Sequence, residues 1–195
     1  MKKRMLALLL IAMLLGLCAC GDTQVEAAVF SFTPQEYMAA FSELVEHSAG
    51  IKVAWTGPET VHENQLRWVG RGEGLSDILL YTSQNGTLCQ TIGTEAVTRM
   101  TGDYHTGLGI SISFILYATR YLELGQDMAA FLQEWETIAS EYEALVAKVF
   151  REASETWYVD RIYGKEVSIA GHTAQMYIAL DVETMLLSNS FVYQP

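Results

Sequence analysis

The sequence predicts an α+β fold: a mostly antiparallel sheet packed by helices, in the order α-βββ-αα-βββ, as a single compact domain over 30–195. Three observations carry this. A capped amphipathic segment opens the region at Thr33-Pro34-Gln35-Glu36. An Asn85-Gly86 pair sits between two alternating runs, which is the strongest short-range hairpin signal in a sequence. A long pattern of apolar residues spaced by three and four runs over 127–153, between two strand-rich groups. A mostly antiparallel sheet covered by helices accommodates that order.

The first helix has a full set of start signals. Thr33 takes the N-cap, Pro34 the first helical position, and Glu36 completes a capping box. Phe32 ahead of the cap is placed to staple onto Tyr37. Tyr37, Met38, Phe41, Leu44 and Val45 share one face, and Gly50 is a natural stop. Ile51–Trp55 is a short apolar run. The first strand group then follows: Gln65–Arg71, alternating around Leu66 and Trp68, and the hairpin strands Asp77–Gln84 and Thr87–Ile92. A two-residue turn at Asn85-Gly86 pairs Gln84 with Thr87. It sets Leu79 opposite Ile92 and Ser83 opposite Leu88, on the face expected to be the core side.

The middle is helical. Residues 108–124 are apolar on most sides, through Leu108, Ile112, Phe114, Ile115, Leu116, Tyr121 and Leu122, and Gly125 ends them. Asp127 caps a second helix to about Ala153, with Met128, Phe131, Leu132, Trp135, Ile138, Tyr142, Leu145, Val149 and Phe150 on one face and glutamates on the other. The glutamate face reads as a solvated surface. The last group comprises Trp157–Ile162 and Lys165–Ala170, around a turn at Tyr163-Gly164, and Gln175–Glu183, with Leu186–Tyr193 as one more strand. No repeat or low-complexity tract divides the region.

Composition excludes several classes. Half of the 195 residues are hydrophobic and 11% are aromatic, too many for a disordered chain. A net charge of −11 argues against nucleic-acid binding. Three cysteines are too few for a disulfide scaffold. The beginning of the chain reads as an export signal. Met1-Lys2-Lys3-Arg4 is a positive n-region, and residues 5–19 carry no charge, a stretch shorter than the roughly 20 apolar residues a membrane span needs.

That run ends Leu17-Cys18-Ala19-Cys20, followed by Gly21-Asp22. It resembles the lipobox of bacterial lipoprotein precursors: Leu17 at −3, small Cys18 at −2, Ala19 at −1, and Cys20 as the modified residue. The resemblance implies a signal peptide over 1–19, cut before Cys20, and a diacylglyceryl group on the Cys20 thiol, with palmitate-type chains in the membrane. Residues 20–29 then form the lipidated cysteine and its tether, about 30 Å long when extended. Cleavage removes three basic residues and no acid, leaving 176 residues with a net charge of −14. Cys89 is left as the one unmodified thiol, in a strand-like run, and reads as a small buried hydrophobe. The element order and the opening Phe32-Thr33-Pro34-Gln35-Glu36-Tyr37 are similar to small Firmicute lipoproteins of unknown function with a PsbP-like α/β/α sandwich. That likeness carries over no functional residue.

Motifs of catalysis are missing. His47-Ser48-Ala49-Gly50 lacks the first glycine of a nucleophile elbow. Gly70-Arg71-Gly72-Glu73-Gly74 has no following Lys-Ser/Thr of a P-loop, and Gly107-Leu108-Gly109 lacks the third glycine of a dinucleotide fingerprint. His47, His62, His105 and His172 are scattered, so no metal is expected, and no cofactor. The residues singled out for ligand binding are Trp55 and Trp68, as groove aromatics, Arg71, beside a glycine-rich anion cradle, and Tyr104 and His105, in a polar loop. For the aromatics the ordinary alternative is core, for Arg71 it is a flexible strand connection, and for Tyr104 and His105 it is a surface turn with an N-cap.

Two readings result. The first is a non-enzymatic binding or accessory module at the extracytoplasmic face of the cell membrane. Its partners are membrane lipid through acylated Cys20 and an envelope protein or small ligand. The second is a lipid-anchored hydrolase whose site assembles only in three dimensions. Two or more of His62, Asp103, His105, Asp160, His172 and Asp181 within hydrogen-bond reach would favour the enzyme.

Overall fold

A computed structural model describes residues 28–61, 65–83, 86–99, 106–125, 162–181 and 186–195, with Ser140 and Ala144. Its elements are α1 (Pro34–Ala49), β1 (Ala54–Thr60), β2 (Leu66–Arg71), β3 (Asp77–Thr82), β4 (Cys89–Arg99), α2 (Thr106–Leu124), β5 (Ile162–Ile169), β6 (His172–Asp181) and β7 (Leu186–Gln194). The fold is α+β: the seven strands form one antiparallel sheet in the order β1-β2-β3-β4-β7-β6-β5. Two meanders therefore meet at β4 and β7, and the last strand of the chain lies beside the central one. Among the described residues no helix is long and apolar enough to cross a membrane.

Helix α1 starts as its sequence dictates. The Thr33 hydroxyl accepts from the Glu36 amide, and the Glu36 carboxylate accepts from the Thr33 amide at 2.7 Å. Phe32 stacks on Tyr37 with ring centroids 5.8 Å apart. Gly50 adopts φ 68 and donates its N–H to Glu46, the left-handed stop that glycine accepts without penalty. Helix α2 begins two residues ahead of the expected 108–124 and ends at the expected place. The segment 127–153 lies outside the described residues apart from Ser140 and Ala144, both helical.

The strands depart from expectation in four places. The apolar run 51–55 is not itself a strand: β1 starts at Ala54 and continues through Pro58 to Thr60, so the first group has four strands. Proline is tolerated there because β1 is a sheet edge and Pro58 falls in the register shift between Thr56 and Glu59, outside the paired positions. Strand β4 runs on past Ile92 to Arg99.

The β3–β4 register also changes. The Ser83 amide donates to the Leu88 carbonyl at 2.8 Å, and the Gly86 amide donates back to the Ser83 carbonyl at 2.8 Å, so β3 ends at Thr82 and β4 begins at Cys89, short of the expected 84 and 87. Thr82 then pairs with Cys89 but Tyr81 with Thr91, so Gln90 is an extra residue, a β-bulge. Gln65 donates to the Gln90 side chain and fixes it. The bulge shifts the ladder by one, and Leu80, not Leu79, faces Ile92.

Finally, Tyr163-Gly164 is no turn. Both pair within β5, opposite Ile178 and Tyr177. The chain reverses instead at Ala170-Gly171, with φ 52 and 83, between paired Ile169 and His172. Positive φ at both central residues is the handedness that matches strand twist. The part of 157–162 before Ile162 lies outside the described residues.

The bulge sorts side chains onto two faces. Trp68, Ile78, Leu80, Ile92, Phe191 and Tyr193 form one core with Tyr37, Phe41 and Val45 of α1 and Ile112, Ile115 and Leu116 of α2. The other face carries a smaller buried group, Val69, Leu79 and Tyr81, with Val61 beside it. Phe30, the first buried residue described, donates its amide to Cys89 and stacks on Phe32 at 5.0 Å, pinning the entry of the chain to the start of β4.

Candidate functional site

Of the residues singled out from sequence, Trp55, Trp68 and Arg71 fall within the described part; Cys20, Tyr104 and His105 lie outside it. Trp55 pairs opposite Gly70 and lays its ring over it. A Cβ on Gly70 would sit 2.8 Å from Trp55 Cζ3. Its indole donates to Ser42 Oγ at 2.9 Å, and the ring meets Phe41 edge-on at 5.9 Å. Trp68 is buried in the same core. Both tryptophans thus pack the helix-covered face. Arg71 points to Asp77, with Nε 3.0 Å and Nη2 2.9 Å from Oδ2. Both partners are substantially exposed, so the pair adds little stability.

Arg71–Asp77 belongs to a charged row on the second face. Asp77 stands directly opposite Glu95, and Arg67, paired with Tyr81, reaches Glu59 at 2.5 Å. Burial, and then the Asp77 charge, push the Glu95 carboxyl up, with Arg67 opposing. The Cys89 thiol is fully buried, and burial pushes it up to about 12, with the Glu36 charge adding to the effect. It is therefore protonated and unreactive at neutral pH.

A cluster of different character forms at the end of α2. Glu123, one residue from the helix end, receives Arg120 Nη1 on Oε2 at 2.8 Å and meets His172 Nε2 with Oε1 at 2.5 Å. A carboxylate at a helix C-terminus is opposed by the helix dipole, so it needs these partners. His172 is the first residue of β6, delivered by the Ala170-Gly171 turn. Its ring meets Phe30 edge-on at 5.4 Å and Tyr193 at 5.3 Å, and the Tyr193 hydroxyl is tied to the Ile169 carbonyl at 3.0 Å.

Arg120, Glu123 and His172 side chains are each 15–17% exposed, enough to be reached and little enough to be shielded from bulk water. Burial by itself would raise the Glu123 carboxyl. The hydrogen bonds from His172 and Arg120 outweigh it and hold the carboxyl below the usual carboxylate range. The Glu123 carboxylate on Nε2, with Phe30 and Tyr193 against the ring, fixes the imidazole orientation.

Sequence spacing did not point to Glu123 or Arg120. Their signal was local only: an acid and a base three residues apart in a mostly apolar helix. Of the six titratable residues named above, His172 is placed here, against Glu123 rather than another of the six. Among the described residues no group of three or more His, Cys, Asp or Glu is arranged to hold a metal. Comparison with protein-family models, with curated proteins and with solved structures finds no match to this chain in any of the three.

Proposed function

We propose that this protein is a lipid-anchored extracytoplasmic module that binds a ligand or partner at the cell membrane without catalysis. The observation that carries the reading is the succession of a positive n-region, an uncharged run and Leu17-Cys18-Ala19-Cys20. Two or more acyl chains on Cys20 would anchor stably where one would not. The expected tether 20–29 leads to Phe30, the first buried residue among those described. Support for a non-catalytic role comes from Cys89, whose thiol is buried and pushed up to about 12 and so is withheld from nucleophilic chemistry, while Trp55 and Trp68 pack with the core rather than lining a groove. The mass of the membrane-extracted product tests the anchor. A chain starting at acylated Cys20 supports the reading, and an unmodified Cys20 in the mature product overturns it.

The same proposal includes the finer fold, one compact domain over 30–195 with the segment 127–153 as the second middle helix. Supporting this is the burial of Val69, Leu79 and Tyr81 on the face away from α1 and α2. Such a cover would give the helix-sheet-helix layering of the PsbP-like sandwich.

A second reading, a lipid-anchored hydrolase, is favoured by one observation, the Glu123–His172 pair. It requires His172→Gln, if folded, to lose hydrolysis of an ester or amide substrate by about 100-fold or more. Unchanged turnover in that variant sinks the enzyme reading at this site.

A further inference from the structure

The two helices that cover the sheet present outer faces of opposite character. On α1 the exposed positions include Gln35, Glu36, Glu43 and Glu46, an ordinary solvated surface. Helix α2 turns Ile112, Ile115, Leu116 and Ala118 into the core. On its other side Ile110, Phe114, Tyr117, Tyr121 and Leu124 recur every three or four residues and form one stripe; Ile110 is exposed and the other four are half-buried. Residues 106–119 carry no charge, and the Ser113 hydroxyl beside the stripe is turned back onto the Gly109 carbonyl at 2.9 Å. The first charges of the helix, Arg120 and Glu123, are paired with each other. An apolar outer stripe on a helix marks a contact surface.

The way the chain enters the fold says what covers it. Phe30 meets His172 edge-on at 5.4 Å, and His172 contacts Glu123, so the expected tether joins the domain at the C-terminal end of α2. Among the described residues the large hydrophobics most open to solvent are Val29, 36% exposed, at that junction, and Ile110, 38% exposed, near the far end of the stripe. From Ile110 to Leu124 the helix rises about 21 Å. Ten tether residues span at most about 30 Å, so a bilayer that holds Cys20 is within reach of the whole stripe. The stripe also suits a bilayer chemically. Approach along an uncharged surface strips no ion of water, and tyrosines place a ring in the apolar layer and a hydroxyl among headgroups. We propose that the outer face of α2 rests on the lipid surface, so that the anchored domain docks on the membrane along this helix. The proposal rests on the anchored reading and adds to it the face that meets the bilayer.

A test uses the acylated full chain in phosphatidylcholine vesicles, which carry no net charge to repel an acidic protein. Ile110→Cys and Glu43→Cys, on the outer faces of α2 and α1, receive a thiol-linked fluorophore. Cys89 does not compete, being fully buried with its thiol pushed up to about 12. Both proteins should float with the vesicles. With brominated phosphatidylcholine the probe at 110 should lose most of its emission and the probe at 43 should keep it. Ile110→Glu, with the probe moved to position 117, should still float but lose most of the quenching, because a charge opposes entry into the apolar layer. Chains that float with equal quenching at 110 and 43, as when another segment or a second copy covers the stripe, overturn the docking and leave the anchor standing. Undiminished quenching in the Ile110→Glu chain also overturns the docking. Chains that do not float remove the anchor, and the docking with it.

Discussion

Glu123 shows how a residue that is locally unfavourable can be held by distant ones. It sits at the end of α2, where the dipole opposes it, and Arg120 and His172 compensate. Its folded carboxyl lies below the usual range, so the native state binds fewer protons there than the unfolded chain. Its stabilisation is therefore present above the unfolded value of about 4.3 and lost as pH falls through the lowered folded value. Glu123→Gln should cost about 1–3 kcal/mol near neutral pH, from weakened charge-assisted bonds. The difference from wild type should shrink in acid, at a pH below the lowered folded value, where the wild-type carboxyl is itself protonated. Urea unfolding of both proteins at the two pH values measures this, and a pH-independent difference would contradict it. At Gly171, φ is 83 and an added Cβ would meet nothing within 4 Å. Gly171→Ala thus isolates backbone strain, and denaturant unfolding should show a loss of about 1–2 kcal/mol. His172 was visible in the sequence only as one scattered histidine; its partner is 49 residues away in the chain. No local spacing encodes that pairing.

At the scale of elements, what was legible is what is local. The capping box, the Phe32–Tyr37 contact and the Gly50 stop of α1 stand as the sequence predicts, since all depend on neighbours within a few residues. Thr33→Ala removes the cap and should destabilise by about 1 kcal/mol in thermal or urea unfolding, with unchanged stability counting against this start. The strands were harder to read because their errors came from turns and bulges. A single extra residue, Gln90, moves Leu79 off the main core and puts Leu80 on it. Ala170 carries no turn signal, yet it takes φ 52 beside Gly171. Gly70 read as part of a flexible glycine-rich stretch, whereas its bare Cα makes room for the Trp55 ring. That contact also shows why an aromatic singled out for a groove became core: the small partner opposite gives it a place to lie flat.

For the molecule as a whole, the sheet order explains why fold class was readable and topology was not. Alternation and the Asn-Gly turn imply antiparallel pairing, but only the tertiary structure places β7 between β4 and β6. The proposed cover of the second face by 127–153 makes a global prediction. Trp135→Asp would bury a charge against the sheet and should abolish cooperative unfolding or lower stability by about 3 kcal/mol or more. A variant with unchanged circular dichroism and melting temperature would remove that helix from the second face. The central claim concerns the other end of the chain, and metabolic labelling with palmitate tests it most directly. The wild-type protein should incorporate label and Cys20→Ala should not. Equal labelling of the two, or an unlabelled wild type, would contradict the account.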